Sequence, residues 1–80
     1  MFVAAELVAN LRSCGSRERR IILRLFDELA EDPFRAGDYV EPDDVGRPIQ
    51  VLIIGRRAVC FWADHAVKEV KVVDLKPAGR

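Results

Sequence analysis

Asp64-His65-Ala66 holds the only histidine of the 80-residue chain. An imidazole beside a carboxylate is the pairing that general-base chemistry uses, which makes His65 a candidate base with Asp64 as its helper. A solvated turn residue is the plainer reading. Two residues earlier, Phe61-Trp62 places adjacent aromatics on opposite faces of an extended run. One of them belongs in a core, and the other is available to stack a base or anchor a protein contact. Arg56-Arg57 is a candidate phosphate contact, because guanidinium forks match phosphate oxygens. Asp38 to Glu41 and Asp43-Asp44 carry enough carboxylates to suggest a divalent cation, but they lack the glycine and distal glutamate of a calcium loop. Two cysteines and one histidine are too few for a zinc site or a disulfide framework. Cys60 lies in an apolar run, where thiols are inert. Cys14, at a helix end near Arg12 and Arg17, has the more reactive surroundings. Gly15 and Gly37 are isolated, so no phosphate-cradling loop is present. The expectation is therefore no metal and no cofactor.

The elements that must position these residues follow from periodicity. Val3, Ala4, Leu7, Val8 and Leu11 form one helical stripe, and Ile21, Ile22, Leu25, Phe26 and Leu29 form a second. Ser13-Cys14-Gly15-Ser16 breaks the pattern between them, with Ser16 placed to cap the second helix. Pro33 ends that helix, since the residue before proline avoids helical angles. A short link makes the two helices antiparallel neighbours. Residues 34–47 read as a connection with a short strand at Asp38 to Glu41. Ile49 to Ile54, Ala58 to Ala63 and Glu69 to Leu75 are β-branched and aromatic runs separated by hairpin-length spacers. The expected fold class is α+β: one domain over residues 1–80, two antiparallel N-terminal helices packed on a three- to four-stranded antiparallel sheet. Two helices cover one sheet face. The other then keeps apolar side chains such as Leu52, Ile54, Trp62 or Leu75, which predicts a partner or a homodimer through the sheet.

A chain this short supports a single modest core, which excludes a two-domain enzyme with a closed cleft. The 13 acids balance the 13 bases, arguing against a sequence-indifferent nucleic-acid binder. The balance hides segregation: bases dominate residues 1–24 and 46–80, and acids dominate residues 27–44. The longest uncharged stretch, Pro48 to Gly55, is too short to span a membrane, and Glu6 interrupts any secretory leader. A reduced, cytoplasmic protein without membrane contact is expected.

The order of these residues resembles the RelE/ParE toxin superfamily. The junction Leu29-Ala30-Glu31-Asp32-Pro33-Phe34 is similar to the family's Leu-Ala-x-Asp-Pro helix end. Gly46-Arg47, a strand, Gly55, a second strand with Trp62-Ala63-Asp64-His65, and Glu69-Val70-Lys71-Val72-Val73-Asp74 follow in the family's order. The resemblance covers roughly residues 16–76, and it implies a cytoplasmic prokaryotic toxin neutralised by a cognate antitoxin. One branch of the family cleaves messenger RNA on the ribosome without a metal; the other inhibits DNA gyrase. Two of the family's arginine positions fall on Gln50 and Ala58, leaving Arg57 and Arg80 to compensate, and the usual N-terminal strand is not evident in Met1-Phe2-Val3.

The leading expectation is the toxin of a type II toxin–antitoxin (plasmid stabilisation) pair, working through protein contact. An acidic or amphipathic antitoxin segment would suit Arg47, Arg56, Arg57, Lys71 and Lys76. The alternative is a metal-independent endoribonuclease, with Arg56, Arg57, Lys71 and Arg80 on phosphate and His65 as base. A non-toxic dimeric module of the same fold is the third. Trp62, Arg47, Arg56 and Lys76 are the expected partner or nucleic-acid contacts.

Overall fold

The computed structural model describes residues 1–78. The chain runs β1 (Phe2–Val3), α1 (Ala5–Arg12), α2 (Ser16–Glu31), β2 (Tyr39–Pro42), β3 (Pro48–Ile54), β4 (Arg57–Asp64) and β5 (Glu69–Pro77). It is α+β, with two helices and one open five-stranded sheet in the order β1-β5-β4-β3-β2.

Two expectations about the sheet need correction. It has five strands rather than three or four, and it is mixed rather than wholly antiparallel. The extra strand is β1, which runs parallel to β5 with Phe2 opposite Lys71 and Val3 opposite Val72. Ala4 N–H extends the pairing by donating to Val72 O at 3.1 Å. Past that point α1 covers the β5 edge, and the Asn10 amide donates to Leu75 O at 3.1 Å.

The helices form where their stripes predict. Gly15, not Ser16, occupies the cap position of α2, and no side chain caps either N-terminus. The end of α1 is held from the other side: Arg19 donates to the carbonyls of Leu11, Arg12 and Cys14 at 3.3, 3.3 and 3.0 Å. These bonds satisfy carbonyls that a helix end leaves without partners.

Side-chain alternation along β5 is broken once. Cys60 pairs with Asp74 and Phe61 with Val72, so Val73 is an extra residue in β5. A β-bulge of this kind shifts the following residues to the opposite face. Leu75 therefore joins Val70 and Val72 on the helix side instead of facing away from them. Leu52 and Ile54 also pack into the helix-side core, contrary to the expectation that they line the uncovered face. That core runs through Leu7, Ile22, Phe26, Leu29, Phe61 and Val72, all buried.

The outer face of the sheet has its own smaller cluster of Ile49, Val51, Ala58 and Cys60, with Trp62 and Ala78 packed against it. Only Trp62 was expected there as an uncovered apolar side chain. Val51 is fully buried. Gly37 approaches the Val51 backbone so closely that a Cβ there would sit 2.6 Å from Val51 O. Asp38 N–H donates to that same oxygen at 2.7 Å, and the Asp38 carboxylate accepts from Ile53 N–H at 2.7 Å.

Candidate functional site

Trp62 lies on the outer face near the end of β4, opposite Lys71 of β5. Two cations approach its ring. The Arg47 guanidinium carbon is 4.1 Å from the ring centroid, and Lys71 Nζ is 5.3 Å away. Both distances lie within the range where a ring quadrupole attracts a cation.

Each cation is aimed by a turn carboxylate. Between β2 and β3, Asp43 Oδ1 accepts from the backbone N–H groups of Val45 and Arg47 at 3.0 and 2.8 Å. Its Oδ2 accepts from Arg47 Nε at 2.8 Å. Gly46 closes this turn at φ +82°, a left-handed conformation that costs glycine little. Partial desolvation works to raise the Asp43 pKa, but the hydrogen bonds from Arg47 and Val45 outweigh it and hold the carboxyl below its usual range. Between β4 and β5, Asp64 accepts from Ala66 N–H at 3.1 Å and pairs with Lys71 Nζ at 2.9 Å. The Lys71 hydrogen bond is the main cause that lowers the Asp64 pKa. Asp64 thus serves Lys71 through a direct ion pair.

The His65 ring stacks on Phe34, with centroids 4.7 Å apart and planes 18° from parallel. Phe34 follows Pro33 just beyond the end of α2. Arg35, next along, pairs with Glu28 at 2.6 Å. Phe34, Arg35, Arg47, Trp62 and His65 border one cleft of about 510 Å³. Its chemistry is aromatic surface plus guanidinium: planar rings stack there, and carboxylate or phosphate oxygens find donors once the internal carboxylates are displaced.

The cleft gathers Arg47, Trp62 and His65, and Lys71 approaches the Trp62 ring from the neighbouring strand without lining the cleft. The other expected residues lie elsewhere. Arg57 begins β4, about 23 Å from its far end at ~3.3 Å per residue, and pairs with Glu18 of α2 at 3.3 Å. Arg56 is exposed in the β3–β4 turn, where Gly55 adopts φ +58°. Lys76 reaches from β5 to Glu41 of β2 at 2.8 Å. This bond is the largest influence raising the Lys76 pKa. Arg80 lies outside the described residues. So Arg57 and Lys71 occupy different ends of the sheet and do not form one phosphate-binding centre.

Both cysteines are buried and unbridged. Desolvation is the chief cause that pushes each thiol above its ordinary pKa. The expectation of a more reactive Cys14 is therefore corrected: it sits under the helix junction, 4% exposed. Among the described residues no group of three or more His, Cys, Asp or Glu side chains could hold a metal ion.

Sequence reasoning missed Phe34 and Arg35 as cleft residues. A large apolar side chain directly after a helix-ending proline was the available signal. No family model matches the chain, and no curated protein or solved structure matches it.

Proposed function

We propose that this chain is a RelE/ParE-like toxin of a type II toxin–antitoxin (plasmid stabilisation) pair, acting in the cytoplasm through protein contact and neutralised by a cognate antitoxin. The observation that carries the reading is the connectivity of the sheet. The resemblance calls for an N-terminal strand, a helix hairpin and a glycine-turned meander, and β1 beside β5 supplies the strand that the sequence did not reveal. Support also comes from the outer face, where Trp62, Arg47 and Lys71 present an aromatic anchor with charged flanks. The experiment is induced expression in a bacterial host with and without the neighbouring reading frame. Growth arrest that the neighbour relieves is expected. Soluble, folded protein that leaves growth unchanged would refute the reading.

The cleft favours a second reading, a metal-independent endoribonuclease that cuts messenger RNA on the ribosome. Here Trp62 stacks a base, Arg47 and Lys71 neutralise phosphate charge, and His65 takes the proton as the 2′-hydroxyl attacks the adjacent phosphorus; the P–O5′ bond breaks, leaving a 2′,3′-cyclic phosphate, and the departing 5′-oxygen takes a proton from water. Message cleavage on induction that Arg47→Ala with Lys71→Ala abolishes distinguishes it. DNA-damage signalling without cleavage points instead to DNA gyrase as target. A third reading, a non-toxic dimer through the sheet, draws on Tyr39, Ile53 and Val73, which remain exposed.

A further inference from the structure

Along the solvent side of α2, Arg20, Arg24, Asp27 and Glu31 recur at intervals of four, three and four residues, so they share one stripe. All four are exposed. None of them enters an ion pair among the described residues. The order of charge works against the helix that carries it. Bases precede acids, whereas the macrodipole favours acids near the N-terminus and bases near the C-terminus. Arg20 and Arg24 are like-charged neighbours one turn apart, and so are Asp27 and Glu31; such pairs destabilise a helix. Only Arg24 and Asp27, three residues apart, form an opposite-charge pair within the stripe; Arg20 and Glu31 have no opposite neighbour on it. Read in the opposite direction, it is complementary to itself.

We propose that a second copy of this chain docks on this stripe, with α2 antiparallel to α2. A twofold axis level with Leu25 and Phe26 sets Arg20 against Glu31 of the second copy and Arg24 against Asp27 of the second copy. Symmetry then repeats both pairs. Every charge of the stripe gains an opposite partner, and the two helix dipoles run opposed. Leu23, 44% exposed, and Ile21, 47% exposed, flank the stripe and add apolar contact. An acidic partner would satisfy Arg20 and Arg24 but would be repelled by Asp27 and Glu31; a basic partner has the converse problem. Only a partner with the same charge order reversed satisfies all four. The stripe lies on the solvent side of α2, away from the outer-face cluster that holds Trp62. The inference does not depend on the toxin reading.

The test is sedimentation of the full chain at about 0.05 M and about 0.5 M salt, where screening separates ionic from apolar association. Two double variants accompany it, Arg20→Glu with Arg24→Glu and Asp27→Arg with Glu31→Arg. Melting temperatures are measured beside the sedimentation, because Arg24→Glu brings like charges three and four residues from Asp27 and Glu28; both variants must stay folded for the monomer result to count. Wild type is expected to dimerise at low salt and to lose most of its dimer at high salt. Each variant alone is expected to stay monomeric, and an equimolar mixture to form a one-to-one heterodimer at low salt. Three results overturn the proposal: a wild-type monomer at low salt, variants that self-associate like wild type, or a mixture that stays monomeric. Wild type that remains monomeric while binding a polyglutamate peptide also overturns it, and assigns the arginines to a different, acidic partner.

Discussion

On the helix side of the sheet, Phe61, Val72 and Leu75 lie beneath α1 and α2. On the outer side, Val51 and Cys60 are buried as completely, yet no helix covers them. Their cover is made of side chains: Lys76 paired with Glu41, and Arg47 tethered by Asp43 above Trp62. Asp74 stands opposite Cys60 on β5, and Lys76 stands opposite Ala58. The difference is energetic as well as geometric. Removing a helix from a core exposes many apolar side chains at once, whereas exposed ion pairs contribute only about 0–1 kcal/mol each. Long charged side chains shield apolar surface with their stems while their heads stay in water. The helix side is therefore held by a large apolar layer, and the outer side by ion pairs that cost little to separate.

The sharpest way to break this contrast is to truncate neighbouring aromatics of β4. Phe61→Ala, on the helix side, is expected to cost about 3–5 kcal/mol. That is a large share of the stability available to a domain of this size, and denaturant unfolding reads it. Trp62→Ala, on the outer side, should cost only about 1–2 kcal/mol while removing partner binding or toxicity. Comparable stability losses at the two positions would erase the distinction.

Gly37→Ala comes next. Its new methyl meets the Val51 backbone, which cannot yield as a flexible side chain can. A loss of about 1–3 kcal/mol in the same assay is expected. A neutral result would mean that the segment shifts to accept the methyl at no cost.

The smallest effect is in pH. Asp43 and Asp64 have lowered pKa values when folded, so the stability they contribute is present above the ordinary carboxylate range and is lost as pH falls through the lowered values. Lys76 is raised, so its contribution is present below the ordinary lysine range and lost as pH rises through the raised value. Fluorescence of the single Trp62 should therefore change on the acid side as Arg47 and Lys71 lose their carboxylate partners. Asp64→Asn should reduce that change.

The two helices and the β3–β5 runs were legible because each spans enough residues to show a period. β1 was not, since two residues have no periodicity and their pairing is set by α1 returning the chain to β5. The facing of Leu75 was misjudged because alternation carries no mark of an extra residue; the bulge at Val73 exists only in the pairing of two strands. Trp62 and Arg47 stand out by residue type alone. Their meeting does not, because it depends on the Asp43 turn. Arg57 and Lys71 looked like one site for want of any measure of distance along β4.

Thiol labelling of native wild type and Lys76→Ala, read at both cysteines by mass spectrometry, tests the removable cover most directly. Cys60 lies under the outer cover and Cys14 under the helix junction. The account predicts that Lys76→Ala speeds modification of Cys60 several-fold and leaves Cys14 unchanged. An unchanged Cys60 rate, or an equal rise at both thiols, would contradict it.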